Sequence, residues 1–441
     1  MLTRFLTALA PSDATDHSDS TRAMTDTADT TPDAQHANQR DEPTNPNAAG
    51  AGDEDAASAT NTEAATVTPY EVDGEVDYDR LLEQFGADRL TDEQAGRFPD
   101  HPLLDRRVFY AGRDVDRYLA AADAGGTHSI VTGVGPSGPM HLGHVLVFYL
   151  AKRLQEETGA YVYVPLSDDE KFYAKDLSFD EIAAATRSNL RDLLAVGFDP
   201  EKTRIVVDRL DADVLYPQAA RFAAGVRQST VDATYGDPVN VGLSFYPAMQ
   251  ATHLLLPQLV HGRHPTLVPV AVDQDPHVRV CRDVAAKERF DLDKPGALLG
   301  KFLPSLSGPG KMSSSSEAPA IELTDDSDTV REKMMQHAYS GGRSDVAAHR
   351  EHGGDPEVDV AYQYLYSFFE PDDERIARLA HEYRAGELLS GELKAAAADA
   401  IGEFLAEHQE RREALGDLES ELEPYRLREE ERERLRPDVL G

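Results

Sequence analysis

The stretch HSIVTGVGPSGPMHLGHVLVFYLAKRL, residues 128–154, decides the fold of this chain. It reads as a strand, a tight turn and a helix. HSIVT has the β-branched, apolar character of a buried strand. GVGPSGPM spaces Gly and Pro as a turn tolerates them. HLGHVLVFYLAKRL then places Leu142, Leu146, Tyr149 and Leu150 on one helical face. A helix that starts directly after such a turn offers unpaired N–H groups and the positive end of its dipole to an anion. His141 and His144, one turn apart, border that anion site. Taken literally, Gly133, Gly135 and Gly138 also satisfy G-x-G-x-x-G, a dinucleotide fingerprint. Against it stand Pro136 and Pro139, the lack of an acidic residue at a ribose position, and a histidine pair with no role in hydride transfer. Two solvent-facing histidines at a helix start are the plain alternative on this segment alone, and a metal pair lacks a third ligand nearby.

Outward from this unit, short β-rich runs recur: YVYVP from Tyr161, TRIVV from Thr203 and TLVPVAV from Thr266. They alternate with amphipathic helical stretches, which predicts an α/β fold of Rossmann type with a largely parallel sheet. After Ser316 the strand signal fades, and VAYQYLYSFF, ERIARLAHEY and GELKAAAADAIGEFLAEHQERREAL carry helical periodicity. A C-terminal α-helical domain is expected there. The boundaries read as a disordered acidic tail over 1–69, a catalytic domain over 70–322, a helical domain over 323–425 and a charged tail over 426–441. The tail assignment at the front rests on its Asp, Thr, Ala, Asn, Glu and Pro content, which cannot bury enough surface to offset ordering entropy.

Among 441 residues there are 80 Asp and Glu against 44 Lys and Arg, a formal net charge of −36, and only 10 of the cations are Lys. In dilute salt such self-repulsion disfavours a compact, nucleic-acid-binding protein. In molar salt the Debye length shrinks to about 3 Å and the objection disappears. The acidity runs along the whole chain and fits a salt-rich cytoplasm. The single Cys281 excludes an internal disulfide framework and a multi-Cys zinc site. No apolar run is long enough to span a bilayer, and the opening MLTRFLTALA is a poor match to a signal peptide. A cytoplasmic protein with no membrane association, no metal held by the protein and no bound prosthetic group is expected.

A second loop, GPGKMSSSSE over residues 308–317, lies 170 residues beyond His141 at the end of the α/β region. One Lys and four hydroxyls after Gly-Pro-Gly suit a loop that closes on a polyphosphate, the ammonium neutralising charge and the hydroxyls bonding oxygens. A Ser-rich surface turn has a similar composition. The scarcity of Lys elsewhere, and the position of both loops where an open α/β sheet places its ligands, favour the phosphate reading.

The two loops together resemble the signatures of class I aminoacyl-tRNA synthetases. Met140, His141, Leu142, Gly143 and His144, preceded by Pro136, Ser137, Gly138 and Pro139, match the HIGH element. Lys311, Met312, Ser313, Ser314 and Ser315 match the KMSKS element. SDDEK from Ser167, FYPAMQA from Phe245 and AVDQDPHVRVCRD from Ala271 resemble the archaeal and eukaryotic tryptophanyl branch, as do AYSGGR from Ala338 and GGDPEVDVAYQYL from Gly353. The resemblance implies activation of tryptophan with ATP, carried with Mg²⁺ as substrate, and transfer to tRNA(Trp). It assigns His141, His144 and Lys311 to the phosphates. It assigns Gly133, Gly135, Gly143, Asp273 and Met312 to the adenosine. Glu170, Gln250, Gln274 and the position of Val131 fall to the amino acid. Buried amide and carboxylate groups suit an ammonium and an indole N–H, although Gln250 in a helix and Glu170 as a solvated charge have ordinary structural explanations. The resemblance also implies a homodimer and an anticodon-reading helical domain, with Arg343, Arg411 and Arg412 as candidate phosphate contacts.

The chain departs from that branch at two pocket positions. Val131 stands where the branch has Tyr, and Pro165 where it has Gln. A divergent paralogue with altered amino-acid choice, a catalytically silent tRNA binder, and a nucleotide-dependent oxidoreductase therefore stay open as alternatives.

Overall fold

The computed structural model describes residues 66–67, 72–73, 78–311 and 319–436. A seven-stranded sheet organises them: β1 (Asp88–Arg89), β2 (Phe109–Arg113), β3 (Ser129–Val131), β4 (Tyr161–Leu166), β5 (Thr203–Val207), β6 (Thr266–Ala271) and β7 (Gly296–Gly300), in the spatial order β1-β2-β7-β6-β3-β4-β5. From β7 to β5 every neighbouring pair is parallel, and β1 and β2 extend the sheet antiparallel at one edge. The four strands expected from sequence are all present, and the α/β Rossmann-type fold with a helical C-terminal region is the observed one. The antiparallel strands β1 and β2 and the GALLG strand β7 were not among the expected runs.

Strand residues alternate between two cores with a period of two. Ile130, Val162, Val164, Ile205 and Leu267 face one side, packed with α1 (Leu142–Thr158) and α3 (Phe179–Val196). Val131, Tyr163, Val206 and Val268 face the other, covered by α4 (Ala212–Ala223), α5 (Val241–His261) and α6 (Asp275–Ala285). This doubly covered arrangement explains why the strands read as nearly continuous apolar runs.

Chain order reverses between β3, the first parallel strand, and β6. Their pairing is confined to Ser129 with Thr266 and Ile130 with Leu267, although β6 runs on to Ala271. Beyond that point the chain leaving β3 follows β4 instead: the Thr132 N–H donates to the Tyr163 carbonyl and the Val134 N–H to the Pro165 carbonyl. A crevice at the carboxyl ends of the strands, at the point where strand order reverses, is where open α/β sheets bind ligands.

The C-terminal helices pack on the α1 and α3 side. α7 (Ser327–His337) lies against α9 (Ser390–Glu413), with α8 (Val360–Tyr364) beside them, and Val330, Ile401 and Leu405 belong to the same core as Leu142 and Leu193. Residues 426–436, expected as part of a charged tail, fold back onto the far edge of the sheet. Their charges are used internally: α10 (Glu429–Leu435) buries Leu435, Glu431 pairs with Arg204 at 2.7 Å, and Arg426 and Arg432 each reach Asp211 at 2.7 Å. Sequence composition alone does not distinguish such committed charges from solvated ones. The acidic stretch 1–65 and the last residues 437–441 lie outside the described residues. No helix among the described residues is long and apolar enough to cross a membrane.

Candidate functional site

The first loop leaves β3 in close contact with β4 and its following turn. A β-carbon at Gly133 would lie 2.2 Å from the Pro165 carbonyl oxygen, so the main chains touch and only glycine fits there. At Gly135 the neighbour is a side chain: Lys171 Cε would lie 2.1 Å from an added β-carbon. Two further groups hold the loop from outside. Asn189, on α3, donates to the Gly138 carbonyl at 2.9 Å, and Lys175 Nζ donates to Ser137 Oγ at 3.1 Å.

α1 begins at Leu142 with His141 as its cap residue in extended conformation, and the His144 N–H donates back to the His141 carbonyl at 2.9 Å. His141 and His144 stack with ring centroids 3.8 Å apart, and the His141 N–H is 3.4 Å from His144 Nδ1. Met140 is wholly buried, anchoring the turn. The segment 140–142 is also paired with the chain that follows the second loop: Leu142 N–H donates to Ile321 and Leu323 N–H to Met140, at 3.1 and 2.9 Å. The backbone of Lys311 closes β9 (Gly308–Lys311), which pairs with β8 (Pro304–Ser305). Met312, Ser313, Ser314 and Ser315 lie outside the described residues, so Lys311 is placed only through its backbone. The two loops, 170 residues apart in sequence, are nevertheless bracketed against each other.

At the end of β4, Ser167, Asp168, Asp169 and Glu170 are all buried. Glu170 pairs with Lys171 at 2.7 Å, and Asp168 with Arg209 at 2.6 Å. Asp169 accepts from the Tyr216 hydroxyl at 2.6 Å and faces the carboxyl of Asp208, the residue after β5. Burial and that neighbouring carboxyl push Asp169 up to about 7. Asp208 is raised well above the ordinary carboxylate range by burial, and it meets His253 Nε2 at 2.6 Å. Burial lowers His253 to about 4, so its ring is neutral at neutral pH. Facing carboxyls at this distance from water share a proton.

Gln250 lies on α5 and donates to the Tyr246 hydroxyl at 2.7 Å, which in turn donates to Ser167 Oγ at 2.9 Å. Tyr246 shares a core with Val131, which is fully buried at the end of β3. Asp273 and Gln274 sit in a short 3₁₀ turn after β6, with Gln274 Nε2 donating to Asp273 Oδ2 at 2.9 Å. The structure thus brings Gly133, Gly135, His141, His144, Glu170, Asp273 and Gln274 to strand ends on one edge of the sheet. Sequence reasoning missed Lys171, Tyr246 and the Asp169–Asp208–His253 cluster. Lys171 had a signal, since lysine is scarce and one stands inside SDDEK.

Two of the three arginines considered as phosphate contacts are committed within the fold. Arg411 donates to Ala195 O at 2.8 Å and to the Tyr149 hydroxyl at 2.6 Å, and Arg412 pairs with the buried Asp192 at 2.7 Å. They fasten α9 to α1 and α3. Arg343 is exposed and donates through Nε to Gly353 O at 2.9 Å.

The family model of class I tRNA synthetases (W and Y) matches residues 124–406. The chain is 64% identical over 376 residues to tryptophan–tRNA ligase 2 of Halobacterium salinarum, covering 85% of this chain and 97% of that protein. It is 43% identical to the tryptophan–tRNA ligase of Sulfolobus acidocaldarius, over 80% and 93% of the two chains. Among solved structures it resembles tryptophanyl-tRNA synthetase from Giardia lamblia, with TM-score 0.73, 33% identity and coverage of 80% and 96%.

Proposed function

Because the chain belongs to the class I tRNA synthetases of the tryptophan and tyrosine type, we propose that it is a tryptophan–tRNA ligase, which activates tryptophan with ATP and transfers it to tRNA(Trp). The observation that carries the reading is the bracketing of the first loop against the exit of the second, at the crevice where strand order reverses. In this reading the tryptophan carboxylate attacks the α-phosphate of ATP, supplied with Mg²⁺, and pyrophosphate leaves. Catalysis is positioning and charge stabilisation, without a covalent enzyme intermediate.

Roles follow from placement. The positive end of α1, with His141 and His144, takes the phosphates, and Lys311, with Ser313, Ser314 and Ser315, meets the leaving pyrophosphate from the second loop. Met312 falls to the adenosine. The bare backbone at Gly133, Gly135 and Gly143 and the carboxylate of Asp273 receive the adenosine. Glu170 takes the substrate ammonium, while Gln250 and Gln274 supply the amide groups that orient the indole. Tyr246 answers the absence of polar groups at Val131 and Pro165, since its hydroxyl places a donor–acceptor chain beside them. Residues 70–322 form the catalytic region, 323–425 read the anticodon, and the protein works as a cytoplasmic homodimer.

The test is amino-acid-dependent exchange between ATP and pyrophosphate in concentrated KCl, run with tryptophan, tyrosine and phenylalanine in turn, alongside NAD binding. Exchange with tryptophan is expected. Exchange with another amino acid identifies altered specificity. No exchange with any of them removes the synthetase reading, and NAD binding in its place supports an oxidoreductase.

A further inference from the structure

The segment that passes over the first loop carries a feature that adenylate formation does not use. Phe172 and Phe179 stack with ring centroids 4.0 Å apart and planes 10° from parallel, and the Arg209 guanidinium lies over Phe179 at 4.7 Å. Both residues are exposed, at 41% and 47%. Covering a phenylalanine takes a large apolar area out of water, so two left side by side on a surface this acidic mark a contact made with something else. Cations stand around them. Arg209 is held by Asp168 and Lys171 by Glu170, whereas Lys175 has no carboxylate partner among the described residues and reaches Ser137 in the first loop.

We propose that the Phe172–Phe179 stack is the platform on which the unpaired terminal base of the tRNA acceptor strand lands, with Lys175 meeting its phosphate. The proposal rests on the synthetase reading above. Aromatic faces bind unpaired bases regardless of sequence, and an arginine over the ring adds to the stack. A net charge of −36 repels RNA over most of the surface, so a strand entering the site needs local cations where it enters. The platform belongs to the same short segment as Glu170, so a base seated on it leaves its ribose close to the amino acid that must be transferred. Phe172 and Phe179 stack on each other, Phe172 also meets Tyr173 and Arg209 covers Phe179, whereas Lys171 and Lys175 meet the first loop.

In the full-length protein in concentrated KCl, Phe172→Ala and Phe179→Ala are expected to leave tryptophan-dependent exchange within about twofold of the parent. Charging of a tRNA(Trp) transcript should fall roughly tenfold, mainly through the KM for tRNA. Phe172→Tyr should restore it, and the parent's tighter binding of an intact transcript than of one lacking the terminal nucleotide should vanish in the alanine variants. Exchange and charging falling together would assign the rings to the adenylation site and overturn the proposal. No change in either would leave them an ordinary surface pair, and charging lost together with a change in oligomeric state would assign them to a second copy of the chain; both overturn it. If the parent itself shows no exchange, the synthetase reading fails first.

Discussion

Gln250 is oriented by Tyr246: its side-chain N–H donates to the tyrosine hydroxyl at 2.7 Å, and that hydroxyl passes a hydrogen bond on to Ser167. Removing the hydroxyl leaves a half-buried amide without its partner, worth about 1–2 kcal/mol. Tyr246→Phe is expected to raise the KM for tryptophan by roughly tenfold with little change in kcat. A fall in kcat at unchanged KM would show that Tyr246 does not act through substrate placement.

Lys311 has the opposite signature if it meets charge that develops as pyrophosphate leaves. Lys311→Ala should lower the single-turnover rate of adenylate formation by about a hundredfold or more while changing the tryptophan KM little. Rapid-quench measurement of adenylate separates the two parameters. A variant with normal turnover would remove Lys311 from the site.

Gly133 and Gly135 offer a contrast within one loop. At Gly133 an added methyl meets the Pro165 carbonyl, and neither main chain can retreat without breaking the ladder between β3 and β4. Gly133→Ala should lower stability by about 1–3 kcal/mol. At Gly135 the obstacle is the far end of Lys171, which can rotate away. Gly135→Ala should therefore keep near-parental stability in urea titrations and lose adenylation activity. Equal destabilisation by both would show that the Lys171 contact is structural.

The carboxyl cluster predicts a pH dependence. Asp169 ordinarily titrates at 3.8 and is raised to about 7 in the folded chain, so its proton contributes stability that is complete below the unfolded value and is lost as pH rises through about 7. His253, lowered from 6.5 to about 4, acts oppositely, and its contribution grows as pH rises from about 4 to 6.5. Buried His101, His261 and His277 are lowered as His253 is and gain stability as pH rises through 6.5, so the contribution of Asp169 is read as the difference between the parent and Asp169→Asn. From pH 6.5 to 8.5 the parent should lose roughly 1 kcal/mol of unfolding free energy relative to Asp169→Asn. Identical slopes in the two proteins would place the titration elsewhere.

The buried pair of Arg204 and Glu431 ties the last helix to β5. Deleting one partner strands the other charge, so Glu431→Ala should cost about 3–5 kcal/mol. A double replacement by Met and Leu should recover most of that. If the single variant unfolds like the parent, the C-terminal segment contributes no stability through this pair.

Much of this molecule was legible from residues alone, for reasons the structure makes physical. Val131, Tyr163, Val206 and Val268 sit in strands buried on both faces, and such strands leave dense apolar runs that Gly and Pro delimit. β7 escaped notice because GALLG has no β-branched residue and is as compatible with a helix as with a strand. The Asp208–His253 contact spans 45 residues and joins a strand end to the middle of a helix. Periodicity carries no information about such a meeting. The arginines of α9 show the converse limit, since a guanidinium bound to Asp192 or to a main-chain carbonyl has the same letter as one free for RNA.

The ladder between residues 140–142 and 321–323 is made of main-chain hydrogen bonds, which neither titrate nor weaken as counterions accumulate. The β8–β9 hairpin before the second loop is held by main-chain pairing too. The backbone positions on both sides of that loop, at Lys311 and at Ile321, therefore keep the same anchorage in dilute buffer and in brine.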